Sequence, residues 1–240
     1  MHTISEMYTT VMALQDYMPV ILSSIGLFFL ARMVARMDAL SGRLAYVGWI
    51  LITLGGLDKA TWKLLMAASN SQVNLTWLDD SLFMLMGPGF LCMAWALWCG
   101  QRVAAGKARP RGPIWAFPAV VGSLHLAGAV FTGVTMPDKR FWFFIMLGLT
   151  TICNVVVSGL AIRQANRKGM HWVGFLFAFN LVAIFVLTGL ARIENRGEFL
   201  EWTAQLTNTV SNAAFAFAAW KLQQSVQPAA VSNQQFAVSG

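Results

Sequence analysis

Two lysines four residues apart, Lys59 and Lys63, follow Asp58 inside a long apolar run. On a helix that spacing sets both ammonium groups on one face. Like charges there repel unless something anionic lies opposite. The chain offers Asp79, Asp80, Glu198 and Glu201 for that task, or it takes a bound anion or a lipid headgroup. Snorkelling to the membrane rim accounts for Lys63, which sits near the end of its run. Asp58 and Lys59 lie about two turns deeper, at ~1.5 Å per residue. At that depth ionisable groups turn toward the interior of a bundle and find partners.

A second polar series is more ordered. Glu198, Glu201, Gln205, Asn208 and Asn212 follow steps of three, four, three and four, which puts them on one stripe of one helix. Hydrocarbon would leave these groups unsatisfied, so the stripe is expected to face inward. Two readings stay open. One is interhelical hydrogen bonding, worth ~0.6–2 kcal/mol per contact. The other is the polar wall of a cavity open to the outer face, with Glu201 as proton carrier. The third signal is Gly87-Pro88-Gly89. Proline removes a backbone donor and crowds the preceding turn, so a kink or break is expected there. Broken helices at depth point to transporter sites, although proline and glycine also serve plain packing in membrane helices. The candidate ligand-binding set is therefore Asp58, Lys59, Lys63, Pro88, Glu198, Glu201, Gln205, Asn208 and Asn212. His125, Asn154 and Asn180 read as isolated interhelical glue.

Other chemistries find no support. The three histidines, His2, His125 and His171, are too scattered for a zinc cluster or for paired haem ligation. Asp79 and Asp80 are adjacent and so point to different faces. No serine has an evident histidine base. Cys92, Cys99 and Cys153 lie in apolar runs without a CxxC spacing. A retinal Schiff base needs a lysine midway along the last span, where this chain has Asn208 to Phe215. Met84, Met86 and Met93 read as apolar filler rather than soft-metal ligands. No metal and no cofactor is expected.

The elements that must hold these residues are membrane spans. The chain has 240 residues, of which 57% are hydrophobic and 11% charged, and a mean hydropathy of +0.60. Soluble domains carry roughly 25% charged residues. Candidate spans run from Met18 to Met37, Leu44 to Ala67, Ser81 to Gln101, Pro113 to Val134, Phe141 to Ile162, Trp172 to Ile193 and Leu200 to Leu222. The expected fold is all-α, a single bundle of seven transmembrane helices over residues 18–222. Residues 1–17 would form a short outer tail or interfacial helix, and 223–240 a disordered tail.

Charge sets the direction. Arg32, Arg36 and Arg43, then Arg102, Lys107, Arg109 and Arg111, then Arg163, Arg167 and Lys168, and finally Lys221 mark alternate loops. Basic loops belong in the cytoplasm, which puts the N-terminus outside. The acids lie on the other side, Asp38 excepted. The net charge of +7 thus reads as topology and lipid contact rather than nucleic-acid binding. Tryptophans such as Trp77, Trp115 and Trp172 near span ends form an interfacial belt. A faint echo, Tyr46-Val47-Gly48-Trp49 against Trp172-Val173-Gly174-Phe175, suggests that helices 1–3 recur as helices 5–7 around a linker helix.

These features predict a multi-pass protein of the inner (plasma) membrane that binds a small molecule or ion as transporter or receptor-like sensor. The alternatives are an enzyme acting on lipid or polyprenyl substrates, with Glu198 or Glu201 as acid/base, and an accessory subunit of a membrane complex. Membrane lipids, a small ligand or ion, and other membrane subunits are the expected partners.

Overall fold

The computed structural model describes residues 10–136, 139–190 and 197–226, apart from the side chain of Glu198. Eight helices account for nearly all of them: α1 (Thr10–Gln15), α2 (Tyr17–Met37), α3 (Ala39–Ala68), α4 (Thr76–Ala104), α5 (Ala116–Thr135), α6 (Phe141–Arg167), α7 (His171–Leu190) and α8 (Glu198–Gln224). Five of the expected spans fall within α2, α3, α4, α6 and α8, Pro113 to Val134 begins three residues before α5, and Trp172 to Ile193 coincides with α7 as far as Leu190. Among the described residues six segments are long and apolar enough to cross a membrane, α1 and α2 counting as one. The exception is α8, whose 27 residues suffice in length but whose polar stripe lowers its hydropathy. Residues 191–196, which include the last three of the expected span Trp172 to Ile193, and residues 227–240 lie outside the described residues.

Local chemistry sets the helix ends. Asp38 caps α3, accepting from the Ser41 N–H at 3.0 Å and the Ser41 hydroxyl at 2.5 Å. Gly169 follows α6 at φ +69°, a left-handed conformation natural to glycine. The next N–H, that of Met170, then reaches back to Ala165 O at 2.9 Å.

Cross-helix contacts fix the register. Tyr17 Oη meets Thr61 Oγ1 at 3.0 Å and Ser24 meets Thr53 at 2.9 Å, so α2 and α3 run antiparallel. The α3–α4 seam is also antiparallel and very close. A Cβ on Gly48 would lie 2.6 Å from Gly89 O, and one on Gly55 would lie 2.8 Å from Leu82 O. By contrast α4 and α6 run parallel, with Phe83 near Phe143 at 5.2 Å and Gln101 Nε2 donating to Leu160 O at 2.8 Å. So do α2 and α8. Gln15 Nε2 donates to Thr209 Oγ1 at 3.0 Å near one end, and Arg36 donates to Gln223 O at 2.9 Å near the other.

Together α2, α3, α4, α6, α7 and α8 close a ring, and α5 packs outside it against α6 and α4. Two successive triplets with a helix between them is the connectivity a repeat requires. A ring of consecutive helices would also produce it, so the echo gains topology but no sequence support.

The core is apolar around Leu30, Met33, Met93 and Leu97, all fully buried. The outer surface is apolar as well, with Leu124 68%, Val134 76% and Phe175 68% exposed. Polar side chains such as Ser158, Asn180, Ser211 and Glu201 are buried instead. This is the arrangement a lipid environment favours, because only the protein interior can satisfy those groups. The fold is that of a multi-pass α-helical membrane protein. Alternating helix direction gathers Arg36, Arg102, Arg167 and Lys168 at one end of the bundle. Asp16, Asp58, Asp79 and Glu201 gather at the other.

Candidate functional site

The acidic end is built from four helix ends: the α1–α2 junction, the C-terminal turns of α3, and the first turns of α4 and α8. Here the two facing lysines are matched by two different acids. Lys59 pairs with Asp79 from α4 and lies 4.3 Å from the centre of the Trp62 ring. Lys63 pairs with Asp16 at 2.5 Å, with side-chain exposures of 18% and 10%. Asp58 accepts from the Ser81 hydroxyl at 2.8 Å. Asp79 was among the expected partners. Asp16 was not, because it falls in the segment read as a tail. The structure supplies the register: with Tyr17 opposite Thr61, Asp16 stands level with Lys63. Asp80 makes only a loose 3.9 Å approach to Arg140 across exposed side chains, a geometry that contributes little.

Of the stripe on α8, Glu201 and Gln205 turn inward, and Asn208 and Asn212 are half-buried. Glu201 and Gln205 are buried, at 5% and 7% exposure, while Leu206 and Val210 on the opposite face are more than half exposed. Deeper in, Asn212 Nδ2 donates to both Asn208 O and Asn208 Oδ1, at 2.9 and 2.8 Å. Those two amides therefore partly satisfy each other along their own helix. Thr209, one position off the stripe, makes the link to Gln15 on α1. Glu198 begins α8, and its side chain is outside the described residues.

Pro88 does not break its helix, since α4 runs unbroken from Thr76 to Ala104. Its flanking glycines serve close packing on two sides. Gly89 lies against Ile52 and Gly48 of α3, and Gly87 against Leu149 and Thr150 of α6. His125 is held within α5, its Nδ1 2.9 Å from Val121 O. Asn180, only 4% exposed on α7, has an Nδ2 without a hydrogen-bond partner. The antiparallel contact of Phe177 with Phe215 at 5.7 Å brings Asn180 level with Asn212.

Two cavities lie at the opposite, basic end. A cleft of about 830 Å³ is bordered by Arg36, Gln101, Gln164, Arg167 and Lys168. A smaller one of about 260 Å³ lies between Trp95, Phe117 and the Arg109–Ile114 loop. None of the candidate ligand-binding residues expected from sequence lines either. The signal that could have found the larger cleft is the cluster of basic loops, which sequence reasoning takes only as topology. Among the described residues no three His, Cys, Asp or Glu side chains come together to hold a metal.

Fold and polar layers define the class: a polytopic helical bundle of the membrane with polar chemistry inside it. No family model, curated protein or solved structure matches the chain.

Proposed function

We propose that the chain is a seven-span protein of the cell inner membrane, N-terminus outside and C-terminus cytoplasmic, acting as a transporter or receptor-like sensor for a small molecule or ion. In this reading α8 is the seventh span. It is polar by composition, but its polar side is covered by α2 and α7 and its apolar side faces outward. The direction follows from the basic end being cytoplasmic.

The single observation that carries the reading is the inward burial of Glu201 and Gln205 on α8. Apolar side chains would pack a purely structural helix with less desolvation, since interhelical hydrogen bonds in membranes average only about 0.6 kcal/mol. The outer face supplies the element to be switched. The pairs Lys63–Asp16 and Lys59–Asp79 join three helices. Asp79 stands on the outer side of Pro88 in the same helix, where an interior proline has removed one backbone hydrogen bond. Flexing α4 at Gly87–Pro88–Gly89 would draw Asp79 from Lys59 and admit a ligand or proton toward Glu201, Gln205 and Asn208.

Proteoliposomes loaded with a pH-sensitive dye test this. An outside acid pulse should be followed by faster internal acidification than in protein-free vesicles, and Glu201→Gln should abolish the difference. For a sensor, Trp62 fluorescence should shift with outside pH without flux, and Glu201→Gln should blunt the shift. If neither flux nor fluorescence distinguishes Glu201→Gln from the parent, the reading fails.

A further inference from the structure

We infer that the large cleft at the basic end is a binding site for a hydroxyl-bearing phosphate, either a phosphoglycerol lipid headgroup or a soluble phosphate ester. Arg36, Arg167 and Lys168 border it, and among the described residues no acidic side chain does. Four helices, α2, α4, α6 and α8, end around it. A helix C-terminus carries about half a negative charge, so the four together offset some of the basic charge. Three formal cations exceed that sum even before capping is counted. Capping reduces the offset further, because Arg36 donates to Gln223 O in the last turn of α8 and to Val226 O just beyond it. That contact occupies part of the Arg36 guanidinium. Arg167 and Lys168 remain exposed at the rim and supply the charge for a ligand.

The demand for a hydroxyl comes from Gln101. It lines the cleft, is 3% exposed, and uses its Nε2 on Leu160 O. Its Oε1 is a buried acceptor with no donor among the described residues. A buried acceptor left unmatched is destabilising, and neither phosphodiester oxygens nor carboxylates can match it. A ligand O–H can. A volume of about 830 Å³ lies within the range typical of small-molecule sites.

The inference is independent of transport and is tested on binding alone. The full chain is purified in a maltoside detergent, and its melting temperature is titrated with inorganic phosphate, glycerol 3-phosphate, short-chain phosphatidylglycerol and short-chain phosphatidylcholine. Glycerol 3-phosphate or phosphatidylglycerol should raise the melting temperature saturably, and phosphatidylcholine should not. Stabilisation by the lipid alone assigns a headgroup, and stabilisation by both assigns a soluble ester. The double variant Arg167→Gln/Lys168→Gln changes only exposed side chains and should still fold. It should bind about 30-fold more weakly, at the usual worth of two basic residues facing an anionic surface. Arg163→Gln, exposed on the same helix but outside the cleft, should bind as the parent does. Equal binding by the double variant, or no shift with any phosphate compound, overturns the inference.

Discussion

At the scale of residues, the acidic end is held by charges from different helices. The Lys63–Asp16 pair is nearly buried, and removing one member of such a pair strands the other. Lys63→Met should therefore lower stability by about 3 kcal/mol, read as a drop in melting temperature. Adding Asp16→Asn to it should recover part of the loss, because the stranded carboxylate is then replaced by a neutral amide. Asp38 makes a second, pH-dependent prediction. Burial pushes its carboxyl pKa up, but the Ser41 hydroxyl, the Ser41 N–H and Arg109 together hold it below the ordinary value. Arg109 lies 2.6 Å away. A lowered folded pKa contributes stability that is present above the unfolded value of ~3.9 and lost as pH falls through the folded one. The tether between the α2–α3 turn and the α4–α5 loop should thus be constant from neutral pH to about 4 and weaken in stronger acid. Melting curves of Asp38→Asn should lack that acid limb. Much of this layer was legible: the facing of Lys59 and Lys63, and Asp79 as an anion opposite. Asp16 was hidden because a tail assignment detached it from the membrane register that aligns it with Lys63.

At the scale of elements, the α3–α4 seam depends on missing side chains. Gly48→Leu would drive carbon into the backbone of Gly89, and these two helices would have to part. The variant should unfold or lose its ordered melt. A Cβ added to Gly148 on α6 would meet nothing within 4 Å, so Gly148→Ala should be neutral or stabilising by up to about 1 kcal/mol, through helix propensity alone. Sequence points to a kink or break at Gly87-Pro88-Gly89, and the helix does not break there. Proline advertises a lost hydrogen bond, but only the neighbouring helices reveal that the adjacent glycines also allow close approach. Gly48 and Gly55, seven residues apart on one face of α3, carried the missing half of that signal. The end of α8 was also misjudged by composition. Gln223 was assigned to the tail, yet it is buried within the helix and bonded through its carbonyl to Arg36. A polar, uncharged stretch looks loose until its one cationic partner, far away in sequence, is known.

At the scale of the whole molecule, the alternation of basic and acidic loops was readable at once, and the packing keeps the two sets at opposite ends. Which end faces the cytoplasm is open to direct labelling. In a background with the native cysteines replaced, Ala108→Cys and Lys168→Cys should resist a membrane-impermeant maleimide in intact cells. Gln72→Cys and Lys139→Cys should react. The cavities were not readable, because they arise where helix ends splay apart, and no local pattern encodes that geometry. The parallel seating of α8 against α2 has one more consequence, for the order of events at the ribosome. The first span enters the bilayer long before the last one exists. Until then the side chains of Gln15 and Arg36 lack their partners on α8, and the wall between α2 and α7 stands open to lipid. Quality-control proteases can meet that half-built bundle throughout translation, and only the last helix ends the exposure. A chain stopped after residue 196 should accordingly insert and then vanish quickly in a pulse–chase. Co-expressing residues 197–240 as a separate piece should prolong its life.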